Sequence, residues 1–403
     1  MSEPSERIMN PSDLYDPATF RTALREWLAE NDLTPPEDHS LEGHMRQFAR
    51  VQKALYDGDW SRYGWPEHAG GLGGPVMLRA IVGEEIVGRR LAEPGPYSML
   101  EVLAPTMIDY ATAELAAEMV PKLLSGEEQW CQGFSEPGSG SDLASLTTKA
   151  TQKGDQWVIN GQKVWTSFAQ FSHRCILLTR TGEGSPDSPS LRSPQADSPS
   201  LRSPHQGITA FFIDMDSPGI SVRPLRTMHG VDEFCEVYFD DVVVDASRML
   251  GKPGDGWQLA MDLLPYERST CFWQRIAYLY SRFDALINDL KEVGQSSPKD
   301  IDADMGEAYL ALHTLRCRSR ATQHRLAAGQ KLGPDTSIDK VLLATAEQRL
   351  YDTVHDLLPG VIELDDTDWR TEYLYSRSAT IYGGTAEVQR NIIARRLLDL
   401  GKE

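Results

Sequence analysis

The chain has 403 residues, with 40 Lys and Arg against 59 Asp and Glu, a formal charge of −19 at neutral pH. That length exceeds one ordinary core and predicts two or three domains; 40% hydrophobic and 25% charged residues describe a globular chain rather than a disordered or membrane-embedded one. The acidic balance argues against a broad nucleic-acid or anionic-lipid surface, which needs clustered cations, yet it leaves room for an anionic small ligand held by backbone amides and local arginines.

The opening MSEPSERIMN lacks the apolar stretch of a signal peptide, and no run of about 18 apolar residues follows. A cytoplasmic chain that stays out of the membrane is expected. Residues 12–128 read as a helical domain. Phe20, Leu24, Trp27 and Leu28 share one face at helical spacing, as do Met45, Phe48 and Val51. The same pattern covers 77–90 and 112–125, interrupted at Pro94-Gly95, and GWPEHAGGLGG (64–74) is a glycine-rich loop.

Near residue 130 the period changes from helical to alternating, which predicts a β middle domain over 129–248. Trp157–Ile159, Asn160-Gly161 and Lys163–Trp165 read as a hairpin around a type I′ turn. Further strands are expected at 175–181, 208–215, 220–225 and 236–244, enough for a small antiparallel barrel or sandwich. Within this domain DSPSLRSP occurs twice, at 187–194 and 197–204. A Ser/Pro/Arg repeat cannot build a core, so 182–206 is expected to be a low-complexity surface insertion.

From 249 to 403 the chain returns to helical periodicity in segments near 256–294, 303–329, 337–358 and 368–398, which predicts an antiparallel bundle. Pro265 should kink the first segment. Gly383-Gly384 should break the last, with Thr385 as N-cap and Glu387 in the first turn. Cys131, Cys175, Cys235, Cys271 and Cys317 lie far apart and read as reduced thiols. The nine histidines show no ligand spacing, so no metal is expected.

Two stretches carry candidate chemistry. WCQGFSEPGSGSDLASL (130–146) gathers Ser135, Ser139, Ser141, Gly138 and Gly140 into one loop suited to a diphosphate or a polar ring edge. KVWTS (163–167) ends a strand with a Trp and two hydroxyls. Read alone, the first stretch is as readily a structural turn, and a Trp such as that of the second is more often core than a cofactor wall.

In order and spacing, a helical domain, SEPGSGSD, INGQKVWTS, FDDVVV, a helical bundle and IYGGTAEVQRNIIARRLL together resemble the acyl-CoA dehydrogenase family over nearly the whole chain. The resemblance implies an α+β chain: an N-terminal helical domain, a middle antiparallel β-barrel and a C-terminal four-helix bundle, with FAD and an acyl-CoA thioester between them. It implies α,β-dehydrogenation, in which a base takes the α-proton and the β-hydride goes to flavin N5. Electrons then pass to electron-transfer flavoprotein or a similar acceptor. Gln132, Phe134, Ser135, Gly140 and Ser141 match the family's flavin-contacting stretch, and Ser141 also matches a substrate contact. Trp165, Thr166 and Ser167 match the wall beside the isoalloxazine ring, and Thr385 and Glu387 match C-terminal FAD contacts.

The sequence departs from the family's commonest pattern in two places. Gly383 stands where many members carry the base glutamate, leaving only its backbone N–H to polarise the thioester carbonyl. PYERS (265–269) instead puts Glu267 where a minority of members hold the base, followed by Arg268 at a substrate-contacting position. A carboxylate there can serve in a water-poor pocket. The segments that reach a neighbouring subunit's FAD are also altered: Arg282-Phe283 lacks the following glycine, and Leu357-Leu358-Pro359-Gly360 replaces a Gln and paired glycines. This split resembles α2β2 bacterial members acting on sterol side chains, so a homo- or heterotetramer with a related subunit is expected. The competing readings are a non-catalytic scaffold subunit, which the intact SEPGSGSD, VWTS and Glu267 oppose, and a flavin oxidase or monooxygenase on the same fold.

Overall fold

The computed structural model describes residues 11–181, 205–292, 299–364 and 368–401. Both copies of the Ser/Pro duplication, 187–194 and 197–204, lie outside these residues. Helix α1 (Pro17–Glu30) starts where Asp16 accepts from the Thr19 amide at 2.8 Å and Pro17 supplies a preset φ. Its predicted stripe, Phe20, Leu24 and Leu28, is buried. Helix α2 (Leu41–Asp57), capped by Ser40, buries Met45, Phe48 and Val51, the last two in the same cluster. Helices α3 (Met77–Gly88) and α5 (Ala113–Leu124) fall where the periodicity places them. Between them Pro94 begins a further helix, α4 (Pro94–Tyr110), rather than only interrupting one. Burial of α4 over much of its circumference leaves no polar face to reveal its period.

Among the described residues the strands are β1 (Trp130–Gly133), β2 (Lys149–Lys153), β3 (Gln156–Ser167), β4 (Arg174–Thr181), β5 (Ile208–Asp214), β6 (Ile220–Leu225), β7 (Phe234–Asp245) and β8 (Met249–Leu250). They form one sheet in the order β6-β7-β3-β2-β4-β5-β8, with β1 added beside β4. Against the expected antiparallel barrel, the path of this sheet does not close, and β1 and β2 each pair with β4 in parallel.

The expected hairpin at Asn160-Gly161 is absent, and β3 runs straight through it. The dipeptide forms a bulge against β7. Asn160 Nδ2 donates to Asp241 Oδ1 and Asn160 Oδ1 accepts from the Asp241 amide, both at 2.9 Å. Gly161 is required because a Cβ there would lie 2.6 Å from Thr148 Oγ1. The chain reverses earlier, at Gly154-Asp155, where Lys153 pairs with Gln156.

The C-terminal helices are α6 (Gly256–Glu267), α7 (Phe272–Glu292), α8 (Lys299–Ala327), α9 (Thr336–Leu357), α10 (Asp368–Ser376) and α11 (Ala386–Ile392). The predicted kink at Pro265 becomes a full break two residues later. Helix α6 passes through Pro265, stops at Glu267, and Ser269 Oγ closes onto the Pro265 carbonyl at 2.6 Å. One hydrophobic cluster runs from α4 and α5 through β1, β4 and β5 into α6–α9. Among the described residues no helix is long and apolar enough to cross a membrane, and no group of His, Cys, Asp and Glu is arranged to hold a metal ion.

Candidate active site

The break after α6 aims Glu267 and Arg268 at two other elements. Gln132 Nε2, on β1, donates to Glu267 Oε2 at 3.1 Å. On the opposite side lies the turn before α11. A Cβ built on Gly383 would stand 3.4 Å from Glu267 Oε1, and one on Gly384 would stand 3.6 Å from Arg268 Nη2. Residues 132, 267, 268 and 383, four of the expected site positions, thus meet at one point. Thr385 follows directly and caps α11, accepting from the Val388 amide at 3.3 Å. Glu387, two residues on in the first turn, is exposed.

The loop after β1 is pinned from below. Glu136 and Ser139 exchange backbone hydrogen bonds of 2.8 and 3.0 Å, and Ser139 Oγ turns inward to the Asp142 carbonyl. Ser139 is therefore spent on the loop, while Gly138, Gly140 and Ser141 are exposed. Beneath them, fully buried Lys163 on β3 donates to Glu136 Oε1 at 2.8 Å and to the Phe134 carbonyl at 3.1 Å. The Val164 amide donates to the Ser135 carbonyl at 2.9 Å. Phe134 and Ser135 are so fastened to the strand that carries residues 165–167.

On that strand the register against β7 slips between Lys163 and Thr166. Trp165 takes a left-handed φ of 60° and its indole stands 59% exposed, edge-on to Phe234. An exposed tryptophan held in an uncommon backbone conformation marks a ligand wall better than a core residue. Thr166 Oγ1 beside it is buried without a partner, as are Gln132 Oε1 and Arg268 Nε. Orphaned buried polar atoms cost free energy unless a ligand satisfies them.

Burial would raise the Glu136 carboxyl, but the Lys163 charge and the hydrogen bonds from Thr148 and Thr147 outweigh it and hold the group down to about 2. Because the folded value lies below the unfolded one, this contribution is complete above the ordinary carboxylate range and is lost as pH falls towards 2. The melting temperature of the wild-type chain should accordingly drop more steeply between pH 4.5 and 2.5 than that of Glu136→Gln (window set by reference and folded values). Parallel curves would show that Glu136 contributes nothing to acid lability.

Sequence reasoning missed Lys163 and Glu136 as partners, and also two buried residues beside the Gly383 turn, Lys340 and Gln389. The only signal in the sequence was a lysine at an otherwise inward-facing position of a strand or helix.

Profiles of the acyl-CoA dehydrogenase N-terminal, middle and C-terminal domains match residues 16–127, 131–242 and 254–398. Acyl-CoA dehydrogenase IpdE1 of Mycobacterium tuberculosis is 34% identical over 97% of this chain and 99% of its own. Among solved structures, the ChsE4-ChsE5 complex from Mycobacterium tuberculosis superposes with a TM-score of 0.75 at 25% identity, covering 100% of this chain and 99% of that one. A variant of the Tcur3481-Tcur3483 steroid ACAD superposes at 0.80, also at 25% identity, covering 98% and 100%.

Proposed function

Because the chain belongs to the acyl-CoA dehydrogenase family, we propose that it uses FAD to convert an acyl-CoA thioester into the trans-2-enoyl-CoA, with Glu267 as the base, in sterol side-chain or fatty-acid catabolism. One observation carries this reading: the Glu267 carboxylate reaches the space beside Gly383 that a side chain at that position would enter. A chain lacking a carboxylate at 383 thereby still presents one at the same place.

The residues fit the cofactor. The exposed Trp165 face, the unpartnered Thr166 hydroxyl, Ser167, Gln132 Oε1 and the pinned Phe134–Ser135 edge suit a flat, polar-edged ring system. The open backbone at Gly140 and Ser141 suits the more extended part, and Thr385 and Glu387 at the start of α11 are its further candidate contacts. Bound there, FAD would accept the hydride equivalent from the β-carbon. The Gly383 N–H would donate to the thioester carbonyl and so acidify the α-carbon. Glu267 then takes the α-proton onto its carboxylate, held in place by Gln132. Arg268 and Ser141 would fix the thioester, the former through its unpartnered Nε. The direct test is anaerobic addition of an acyl-CoA to the flavin-loaded protein. The flavin absorbance should bleach as the enoyl product forms, and a spectrum indifferent to acyl-CoAs would refute the reading.

The neighbour-facing residues favour a heteromer. Arg282 is buried, pairs with Glu372 at 2.8 Å and stacks on Trp369 at 3.8 Å, so its guanidinium is engaged within its own chain. Leu357 and Leu358 are likewise buried in the bundle core. Two such chains would complete each other's FAD sites poorly. A related subunit would supply the missing contacts, with electron-transfer flavoprotein or a similar protein as acceptor. Purified alone, the chain should retain well under one FAD per subunit, and co-expression with a neighbouring family member should raise occupancy towards one. An active, flavin-saturated homotetramer would contradict this assembly.

A further inference from the structure

The Gly383-Gly384 turn has left-handed φ values of 62° and 89°, and it connects the end of one helical turn (Arg377–Thr380) to α11. Two adjacent glycines are the most flexible way to build such a link. An amide that must aim at a developing negative charge gains from being fixed beforehand. Among the described residues the Gly383 N–H meets no intramolecular acceptor, so nothing bonded to that amide holds it.

Two buried side chains hold the turn instead, Lys340 outside the family motifs and Gln389 within IYGGTAEVQRNIIARRLL. Lys340, on α9, is 1% exposed. Its ammonium donates to the Ala379 carbonyl, lies 4.3 Å from the centre of the Tyr382 ring, and its Cε stands 3.2 Å from the Cβ position of Gly383. Tyr382 is anchored in turn, its hydroxyl donating at 3.3 Å to Glu347, which Arg275 holds at 2.6 Å. Gln389, on α11, is fully buried and donates from Nε2 to the Gly383 carbonyl at 3.2 Å. Its amide fills the space where a side chain at Gly384 would begin. The turn is thus gripped at Ala379, Tyr382 and Gly383, from two different helices. Burying an ammonium carries a desolvation cost, and here its hydrogen bond and ring contact both go to the segment that carries the amide.

We propose that Lys340 and Gln389 are positioning residues that hold the Gly383 N–H on the thioester carbonyl; this rests on the reading of Gly383 and Glu267 given above. A clamp of this kind acts on carbonyl polarisation more than on ligand binding. Lys340→Met and Gln389→Leu should each lower kcat by about 10- to 100-fold, part of the loss for removing an oxyanion donor outright, with KM changed less than about threefold. Lys340→Arg, which keeps a donor and a cation, should recover part of kcat.

The deciding readout is the infrared carbonyl band of the bound trans-2-enoyl-CoA product, labelled with 13C at the thioester carbon. The probe is the product of whichever thioester bleaches the wild-type flavin, and the protein is the flavin-loaded complex. In the wild type the band should lie below its position in solution, and in both variants it should move at least halfway back. Glu267→Gln is the control, keeping the band shift while losing turnover. A wild-type band position in Lys340→Met and Gln389→Leu, with Glu267→Gln inactive, overturns the clamp alone. Turnover by Glu267→Gln overturns the base assignment instead. If Lys340→Met does not fold, the Gln389→Leu band decides.

Discussion

Glu267→Gln should lower kcat by about 10³- to 10⁴-fold while leaving FAD occupancy unchanged. A positioned general base contributes about 10²- to 10⁴-fold, and removal of a carbon-bound proton places the loss at the upper end. The replacement amide has the same size and can still accept from Gln132 Nε2, which now holds Oε2 at 3.1 Å, so the pocket keeps its shape. Glu267→Asp withdraws the carboxylate by one methylene and should fall in between. Adding Gly383→Glu to the Glu267→Gln background should restore part of the rate. The new side chain would enter beside the old carboxylate, and its nearest obstacle is Lys340 Cε at 3.2 Å, towards the end of a flexible chain. Its left-handed φ of 62° costs about 1–2 kcal/mol for a residue with a Cβ. Steady-state rates with one acyl-CoA and an artificial acceptor check all four proteins. Activity of Glu267→Gln within about tenfold of wild type would remove Glu267 from the mechanism.

The second large effect is expected under the flavin loop. Breaking a buried ion pair by removing one partner costs about 3–5 kcal/mol, because the remaining charge is stranded. The two sides of the Glu136–Lys163 pair are not equivalent. Without Lys163, the carboxylate still accepts from the Thr147 amide and hydroxyl and from the Thr148 amide, at 2.7–2.8 Å. Without Glu136, the ammonium retains only the Phe134 carbonyl, and those three donors lose their acceptor as well. Glu136→Leu should therefore be more damaging than Lys163→Met, and the double variant should be more stable than Glu136→Leu alone, since it no longer buries an unpaired cation. FAD retention should follow the same ranking, because the pair fastens the 132–141 stretch to the strand bearing Trp165. Thermal melts and bound-flavin ratios over the four proteins form the cycle; strictly additive losses would show that the pair is not coupled.

What the sequence revealed follows how locally each feature is encoded. Helices α1 and α2 and strand β7 have one buried face, so their period announces them, while β4 and β5 are buried on both faces and stand out as short apolar runs. Helix α4 is buried over much of its surface and offers no such contrast. Asn160-Gly161 has the composition of a turn, but its role is set by Thr148 and Asp241, which approach from β2 and β7, and only the assembled sheet makes it a bulge. At the site, Glu267 and Gly383 were found through motif resemblance; their meeting depends on a helix that ends two residues after Pro265 rather than kinking there. Lys163, Lys340 and Gln389 could not be recognised by pattern, since their partners include residues up to 39 positions away.

The most direct test of the central claim is single-turnover flavin reduction without oxygen. The flavin-loaded complex is mixed with excess acyl-CoA, and the oxidised absorbance is followed beside the same protein carrying Glu267→Gln. The wild type should bleach in one phase as enoyl-CoA forms, with a slower rate when the α-carbon is deuterated. The variant should bind the thioester and stay oxidised. Bleaching of the variant at the wild-type rate would contradict the account.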